Sequence, residues 1–218
     1  MSFVVLKFNE MKNIIYFFLI NFVLISALIT LIKWIFSFEL VSIQAILATS
    51  TLSISLSFIV LSFLLRSVTI KHQRLSRFIS KPLVHGLWKG QLVTNYQKDG
   101  KPIPPIEIYF YIKQTFLTTT IKSFTEYQAS ETIITALSYN KNSESSEFFY
   151  MYKFYRTKNS ENKVTYGSGR LSLINEDNTL EGIYWTNADT RGEIELTLIN
   201  RDCISISSYK MAKENDCI

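Results

Sequence analysis

Two apolar runs without a single charged residue lie near the N-terminus of this chain, at 13–32 and 41–65. An α-helix rises about 1.5 Å per residue, so about 20 apolar residues cross the roughly 30 Å hydrocarbon core of a bilayer. Both runs reach that length, and only Lys33–Leu40 separates them. They predict a transmembrane helical hairpin over residues 1–65.

Basic residues are concentrated directly after the second run. The stretch 66–81 contains Arg66, Lys71, Arg74, Arg77 and Lys81 and no acidic residue. From residue 82 onward there are 15 Lys and Arg against 16 Asp and Glu, which gives a net charge of −1. Because cytoplasmic flanks carry the excess of Lys and Arg, both termini are predicted to be cytoplasmic. The nearly neutral domain lacks the basic stripe that a partner such as long nucleic acid requires.

The first run also raises the question of a cleaved signal peptide. Its apolar core is too long for one, and it ends in Leu31-Ile-Lys-Trp-Ile-Phe36 without a small-residue cleavage site. We therefore expect an uncleaved, multi-pass protein. A basic juxtamembrane linker at 66–82 then connects the hairpin to a single domain at 83–218.

After Pro82 the hydrophobic period changes to two, which is typical of β-strands. Ile106, Ile108, Phe110 and Ile112, for example, alternate with polar or aromatic residues. Eight strands separated by short turns are predicted, at 85–93, 106–113, 116–122, 127–139, 147–156, 164–174, 179–187 and 191–200. Short connections make neighbouring strands antiparallel, and eight of them close most simply as an up-and-down barrel. A two-sheet sandwich is the alternative. The tail after Arg201 is expected to add a strand over Cys203–Ser207 or to stay partly disordered.

The sequence contains no Ser-His-Asp set, paired carboxylate motif, phosphate-binding loop or Cys/His cluster. We therefore expect no catalytic residue, no metal site and no cofactor, and we predict that the protein is not an enzyme. The histidines, His72 and His85, flank the linker and are interpreted as surface or interface residues. In a reducing cytoplasm Cys203 and Cys217 are expected to be free thiols.

Three short motifs follow the hairpin and the basic linker. The first strand contains Gly86-Leu-Trp88-Lys-Gly90, a middle strand contains Tyr150-Met-Tyr-Lys-Phe-Tyr-Arg156, and the last pair contains Leu180-Glu-Gly-Ile-Tyr-Trp-Thr-Asn-Ala-Asp-Thr-Arg-Gly192. Two membrane helices followed by a strand-rich domain with these motifs resemble the two-transmembrane effectors of bacterial cyclic-oligonucleotide-based antiphage signalling systems (CBASS). The resemblance covers almost the whole chain.

That resemblance implies a function in antiviral defence at the bacterial inner membrane. In this family a cyclic-oligonucleotide synthase responds to phage, and the barrel is the receptor for its cyclic dinucleotide product. Ligand binding drives homo-oligomerisation, the helices act on membrane lipids, and the infected cell dies. The expected partners are thus a cyclic dinucleotide, lipids, further copies of the chain and, functionally, the synthase.

A pocket for such a ligand needs Arg or Lys for phosphate, aromatic rings for stacking, and amides or hydroxyls for base edges. The turn between the last two strands supplies this set in Tyr184, Thr186, Asn187, Thr190 and Arg191. Arg191 is equally compatible with a salt bridge to a carboxylate of the same turn. Further candidates for ligand binding are Tyr152, Lys153, Gln114 and Trp88. For Trp88 a core position is the competing interpretation, and the aromatic run 148–155 is interpreted as packing rather than as a binding wall.

The second apolar run is rich in Ser and Thr, which let membrane helices pack closely and hydrogen-bond to one another. This composition favours self-association over a simple anchor. The alternative function is a membrane-anchored lipid- or fatty-acid-binding barrel that acts as a carrier or scaffold. That alternative predicts an apolar cavity without a phosphate-binding Arg.

Overall fold

The computed structural model describes residues 7–37, 43–78, 81–140, 145–156, 164–174 and 178–216. The chain divides into two compact units on either side of Val68. The first consists of helices α1 (Phe8–Ser37) and α2 (Ile43–Ser67). Both are long and apolar enough to cross a membrane, over Glu10–Phe36 and Ile46–Ser67. The prediction of two membrane-capable helices is therefore confirmed, and the helices are consistent with membrane insertion.

The helices α1 and α2 contact each other, and α2 contains a row of buried residues. Ser53, Ser57 and Leu61 recur every fourth residue of α2 and are buried. The hydroxyls of Ser53 and Ser57 donate to the carbonyls four residues earlier, at 2.8 and 2.6 Å. These hydrogen bonds satisfy the hydroxyls within their own helix, so the small side chains permit close approach without leaving a polar group unpaired.

Eight strands of the second unit form one closed antiparallel barrel. They are β1 (Gly86–Thr94), β4 (Ile106–Gln114), β5 (Thr119–Phe124), β6 (Gln128–Asn140), β7 (Ser145–Arg156), β8 (Thr165–Ile174), β9 (Thr179–Thr186) and β10 (Arg191–Asn200). A separate hairpin of β2 (Gln97–Lys98) and β3 (Lys101–Pro102) connects β1 to β4. Each strand pairs with its neighbours in the chain, and β1 pairs with both β4 and β10. The predicted up-and-down barrel is confirmed, and a sandwich is excluded.

Alternate residues of each strand point into the barrel, as the period of two requires. The interior core contains Trp88, Phe110, Phe148, Leu171 and Leu196, all buried. In β6 the register shifts between Thr132 and Ile134, which places a bulge there. The hydroxyl of Thr132 accepts the backbone N–H of Ile121 at 2.9 Å, so the irregular register leaves that amide paired.

Buried hydrogen bonds close one end of the barrel. The side-chain amide of Gln114 accepts the N–H groups of Val84 and His85 and donates to the carbonyl of Pro82. The indole N–H of Trp88 donates to the carbonyl of Val84 at 3.0 Å. Arg201 lies over the Trp88 ring, 5.8 Å from its centroid, and donates to the carbonyls of Leu83 and His85.

The linker contributes to this closed end of the barrel. Thr69 bridges to Thr115, and the N–H of buried Ile70 donates to the carbonyl of Gln114 at 2.9 Å. A short helix, α3 (Gln73–Phe78), follows. His85 is buried here, so its interpretation as a surface or interface residue is wrong. The ring lies beside Tyr111 of β4, and Arg201 donates to the backbone carbonyl of His85. These neighbours are distant in sequence, so the sequence pattern does not show that His85 is buried.

The tail packs on the outside of the barrel. It forms no strand over 203–207; instead helix α4 (Tyr209–Asp216) follows an irregular segment. Cys203, Ile206 and Ala212 are buried in a second apolar cluster with Leu87, Tyr109, Tyr111 and Phe124. Asp216 pairs with Lys89 at 2.5 Å, and Tyr209 donates to Glu107 at 2.5 Å. The expected strand or disorder is thus corrected to an ordered cover, because β1 and β4 present apolar residues outward.

Ile206→Ala should destabilise the barrel, because Ile206 of the tail is 1% exposed where the tail packs on the outer face of the barrel. Deleting buried methyl groups leaves a cavity and costs about 2–5 kcal/mol. Ile204→Ala is the matched control, since Ile204 is 73% exposed and two residues away. Denaturant unfolding of the full chain in detergent, followed by tryptophan fluorescence, measures both. Equal stability of the two variants would show that the tail does not pack as described.

Protonation of His85 should destabilise the barrel. Its Nδ1–H donates to the carbonyl of Ile112 at 2.8 Å, and its Nε2 is buried without a hydrogen-bond partner. Burial lowers the pKa of His85 from its ordinary 6.5. Below pH 6.5 the unfolded chain therefore binds a proton at this residue before the folded chain does. Stability that is present above pH 6.5 is lost as the pH falls through the lowered pKa.

Melting temperatures of the full chain, measured from about pH 8 down to about pH 5.5, test this linkage. The difference between wild type and His85→Gln should depend on pH across this range. His72→Gln, at an exposed histidine, should keep the wild-type profile. Parallel profiles for wild type and His85→Gln would contradict the linkage.

Candidate functional site

The barrel interior contains a cavity of about 430 Å³ at the end opposite the one that Gln114 and Trp88 close. This volume lies within the roughly 300–1,000 Å³ range of small-molecule pockets. All eight barrel strands contribute to its wall, together with loops at the mouth. The wall is formed by Leu92, Thr94, Tyr96, Ile103, Ile106, Ile108, Phe110, Ile121, Ser123, Thr125, Gln128, Ala129, Ser130, Thr132, Tyr150, Tyr152, Phe154, Thr165, Tyr184, Thr186, Ala188, Thr190 and Ile194. None of these described residues is charged.

A row of aromatic rings on β7 runs along the cavity. Tyr150 and Tyr152 are stacked with ring centroids 5.6 Å apart, and Tyr152 and Phe154 are stacked at 6.4 Å. The row occupies alternate positions of the strand, so the pleat aims its members to one side. Tyr150 and Tyr152 lie flat against glycines of β8: a Cβ at Gly169 or Gly167 would fall 2.4 Å from the Cζ atom of the respective ring. Glycine at these two positions therefore allows the rings to occupy this place.

Hydroxyl groups supply nearly all of the polarity of the cavity. The hydroxyls of Ser123 and Ser130 lie 2.6 Å apart across β5 and β6. Those of Thr186 and Thr190 lie 2.6 Å apart at the mouth. Asp189 has a φ of 58° in the turn between these threonines, which lets the chain reverse tightly enough to bring them together.

Three tyrosine side chains in the wall keep their protons. Burial raises the pKa of Tyr150 well above its ordinary value, and burial together with the nearby Tyr184 raises the pKa of Tyr152. Burial also raises the pKa of Tyr184, and a hydrogen bond with Thr94 partly offsets this effect. The three groups are therefore neutral and can each donate one hydrogen bond. The hydroxyl of Tyr150 has no partner in the described structure.

Four of the predicted ligand-binding residues lie in the cavity wall. These are Tyr152 on β7, Tyr184 and Thr186 on β9, and Thr190 in the turn before β10. Only β8 separates β7 from β9 in the barrel, and the turn after β9 contains Thr190, which is why the structure brings these residues to one cavity. The sequence of the turn between β9 and β10 had predicted three of these four residues, Tyr184, Thr186 and Thr190, as members of one ligand-binding set.

The other turn and strand candidates do not line the cavity. Arg191 begins β10 at the mouth and is exposed, and its backbone pairs with Asn95. It alternates with the inward-facing Gly192 and Ile194, so it lies on the outer side of the strand. The side-chain carbonyl of Asn187 accepts the N–H of Tyr166 at 3.1 Å. Lys153 is exposed on the outer side of β7.

Gln114 and Trp88 lie at the closed end of the barrel. Both are fully buried, and their polar groups are used in the hydrogen bonds that close this end. The structure therefore separates these two residues from the four that line the cavity.

Sequence reasoning missed much of the wall, including Tyr150, Phe154, Ser123 and Ser130. The aromatic run had been interpreted as packing, yet three of its inward-facing members, Tyr150, Tyr152 and Phe154, form one side of the cavity, and only Phe148 is confined to the core. A usable signal was present in the sequence. Gly167 and Gly169 occur two residues apart on a strand, which indicates that something large lies over that face.

A small closed barrel with an internal, hydroxyl-lined cavity is the architecture of a receptor for a small ligand, and the same chain contains two helices that are long and apolar enough to cross a membrane. A family model described as "Cap15, cyclic dinucleotide receptor domain" matches residues 79–198, more than half of the chain. The chain therefore belongs to this family: it is a CBASS effector that senses a cyclic dinucleotide. The family consists of ligand-sensing domains and is not a family of catalytic domains. No curated protein gives a significant match to the chain.

Ser130→Phe should prevent ligand binding, because it places a large side chain in the cavity wall where Ser130 now faces Ser123. The matched control is Ser172→Phe, on the outer side of β8. Isothermal titration of full-length protein with the cyclic dinucleotide that the wild type binds should show loss of binding for the first variant only. Near-ultraviolet circular dichroism checks that both variants are folded. Binding by Ser130→Phe with wild-type affinity would place the ligand outside this cavity.

Proposed function

We propose that a cyclic dinucleotide binds in the barrel cavity and drives oligomerisation, that the helices then disrupt the inner membrane, and that the infected cell dies. The observation that carries this proposal is a receptor cavity and a membrane-capable hairpin in one chain of the Cap15 family. In this scheme residues 83–218 are the sensor, the basic segment 66–82 is the connection, and residues 1–65 are the output. The family assignment favours a nucleotide over the lipid or fatty acid of the alternative function.

The ligand is proposed to reach the cavity through the mouth. Its bases would contact the aromatic and hydroxyl wall that includes Tyr152 and Tyr184, since every base has a face that stacks on aromatic rings. Its phosphates would remain at the rim, where Thr186 and Thr190 offer hydroxyls and Arg191 offers an exposed guanidinium. An Arg at the rim can bind phosphate in a bidentate manner without being desolvated inside the barrel.

The output is proposed to depend on contacts between α2 helices of different copies. Thr51, Ser55 and Ser62 share one face of α2 and are exposed, whereas Ser53 and Ser57 are buried against α1. The hydroxyls of Thr51 and Ser55 donate to carbonyls of their own helix at 3.0 and 3.1 Å. A face of this kind allows close approach of a second helix inside a membrane, where association depends on packing rather than on hydrophobicity.

The basic residues around the hairpin support the proposed orientation. Lys7 and Lys12, with Glu10 between them, precede the first apolar run, and five basic residues occupy the segment from Arg66 to Lys81. Both termini, and hence the barrel, would then be cytoplasmic and within reach of a diffusing second messenger. The proposed functional partner is a cyclic-oligonucleotide synthase in the same cell.

The experiment that tests this function uses the full chain in dye-loaded vesicles of bacterial lipids. Addition of a cyclic dinucleotide that binds should release the dye, and light scattering should report larger assemblies. Ser55→Leu should reduce leakage several-fold because a bulky side chain keeps α2 helices apart. Ser55→Ala, which preserves the small side chain, should leak like wild type.

Ligand affinity measured on the same samples separates sensing from output. Ser55→Leu should bind as wild type does, since α2 does not line the cavity. Ligand binding without any change in assembly or leakage would overturn the proposed output. Equal leakage from Ser55→Leu and Ser55→Ala would remove this face of α2 from the mechanism.

A further inference from the structure

The hydroxyl of Tyr150 is a polar group without a partner in the wall of the cavity. Tyr150 is 5% exposed, and its oxygen has no hydrogen bond in the described structure. Buried polar groups in native proteins are nearly always paired, so an unpaired one calls for an explanation. Tyr150 lines the cavity, but its oxygen is covered while the cavity is empty. A ligand that moves the side chains covering this oxygen can supply the missing partner.

The position of the Tyr150 ring is fixed by its neighbours. Tyr152 stacks on it at 5.6 Å, and Phe110 meets it edge-to-face at 6.1 Å. Gly169 lies behind it, with so little space that a Cβ there would fall 2.4 Å from the ring. The ring cannot turn aside to find another hydrogen bond without disturbing these contacts. Its hydroxyl is therefore preorganised before the ligand arrives.

The phosphate groups of a cyclic dinucleotide do not suit this position. None of the described residues of the wall carries a charge, and the phenol groups of Tyr150, Tyr152 and Tyr184 are neutral. Moving a phosphate into such surroundings removes its hydration without supplying a cation. A heterocyclic base is flat and uncharged, and its edge offers carbonyl oxygens or ring nitrogens that accept one hydrogen bond from a phenol.

We propose that Tyr150 is a specificity-determining residue: its hydroxyl donates a hydrogen bond to an acceptor atom on the edge of one base of the bound cyclic dinucleotide. This inference rests on the proposed binding of the ligand in the cavity. It assigns reading of the base to the buried wall and holding of the phosphates to the rim. The identity of the base edge at Tyr150 then decides which cyclic dinucleotides bind well, because phosphate contacts are the same for all of them.

The test is the variant Tyr150→Phe in the full-length protein in detergent. Affinities for cyclic di-AMP, cyclic di-GMP, cyclic di-UMP and the mixed dinucleotides are measured by isothermal titration. The preferred ligand should lose roughly two- to twelvefold in affinity, which is the value of one hydrogen bond. Ligands that bind weakly should change less, so the range of affinities across the panel narrows. The matched control is Tyr166→Phe, at an exposed tyrosine on the outer face of the barrel. It should leave the range of affinities across the panel unchanged.

Two further readouts distinguish this role from a structural one. The ligand-free melting temperature of Tyr150→Phe should equal or exceed that of wild type, because the variant removes an unpaired buried hydroxyl. Arg191→Ala should weaken every ligand by a similar factor, since it acts on phosphate.

Three outcomes would overturn the proposal. Tyr150→Phe with unchanged affinities would show that its hydroxyl does not contact the ligand. A uniform loss across the panel together with a lowered melting temperature would make Tyr150 a structural residue. If wild type binds no member of the panel, the proposed binding fails and this inference fails with it.

Discussion

Closure of the barrel by β1 is the interaction on which the rest of the domain depends. This strand pairs with β4 on one edge and with β10 on the other, so no strand edge remains open in the barrel. The backbones approach closely here: a Cβ at Gly90 would lie 1.8 Å from the carbonyl oxygen of Glu195. Closure gives the sheet an inner and an outer face. Because successive side chains of a strand point to opposite faces, each side chain then lies either in the barrel interior, which contains the core and the cavity, or on the outer surface.

The two ends of the barrel use polar groups in opposite ways. At the closed end each amide proton of Val84 and His85, and the indole of Trp88, has a partner within the protein. In the cavity wall the hydroxyls of Ser123 and Ser130 pair with each other, whereas the hydroxyl of Tyr150 is buried without a partner. The Nε2 atom of His85 is the exception at the closed end. Paired polar groups rigidify a structure, whereas an unpaired group in a cavity wall is stabilised when a ligand pairs with it. The same barrel therefore combines a closed end held by hydrogen bonds with a cavity whose wall contains an unpaired hydroxyl group.

Much of this arrangement was predictable from local pattern. The period of two located all eight barrel strands to within a few residues, and β10 at its observed bounds. Tyr184, Thr186 and Thr190 were predicted as one set because their turn brings them together in sequence. Ser123 and Ser130 were missed because they meet only when β5 pairs with β6. His85 was misplaced because the residues next to it, Tyr111 and Arg201, are distant in sequence.

The sequence by itself determined the two membrane-capable helices, the eight-strand barrel and the membership of a cyclic dinucleotide receptor family. These follow from the length of apolar runs, the period of alternation and motifs that are local in the chain. The tertiary structure alone decided which aromatic residues of β7 line a cavity, that Arg191 lies outside it, and that the tail covers β1 and β4. Those outcomes depend on which strands pair and in which register, and a shift of one residue would exchange inside for outside.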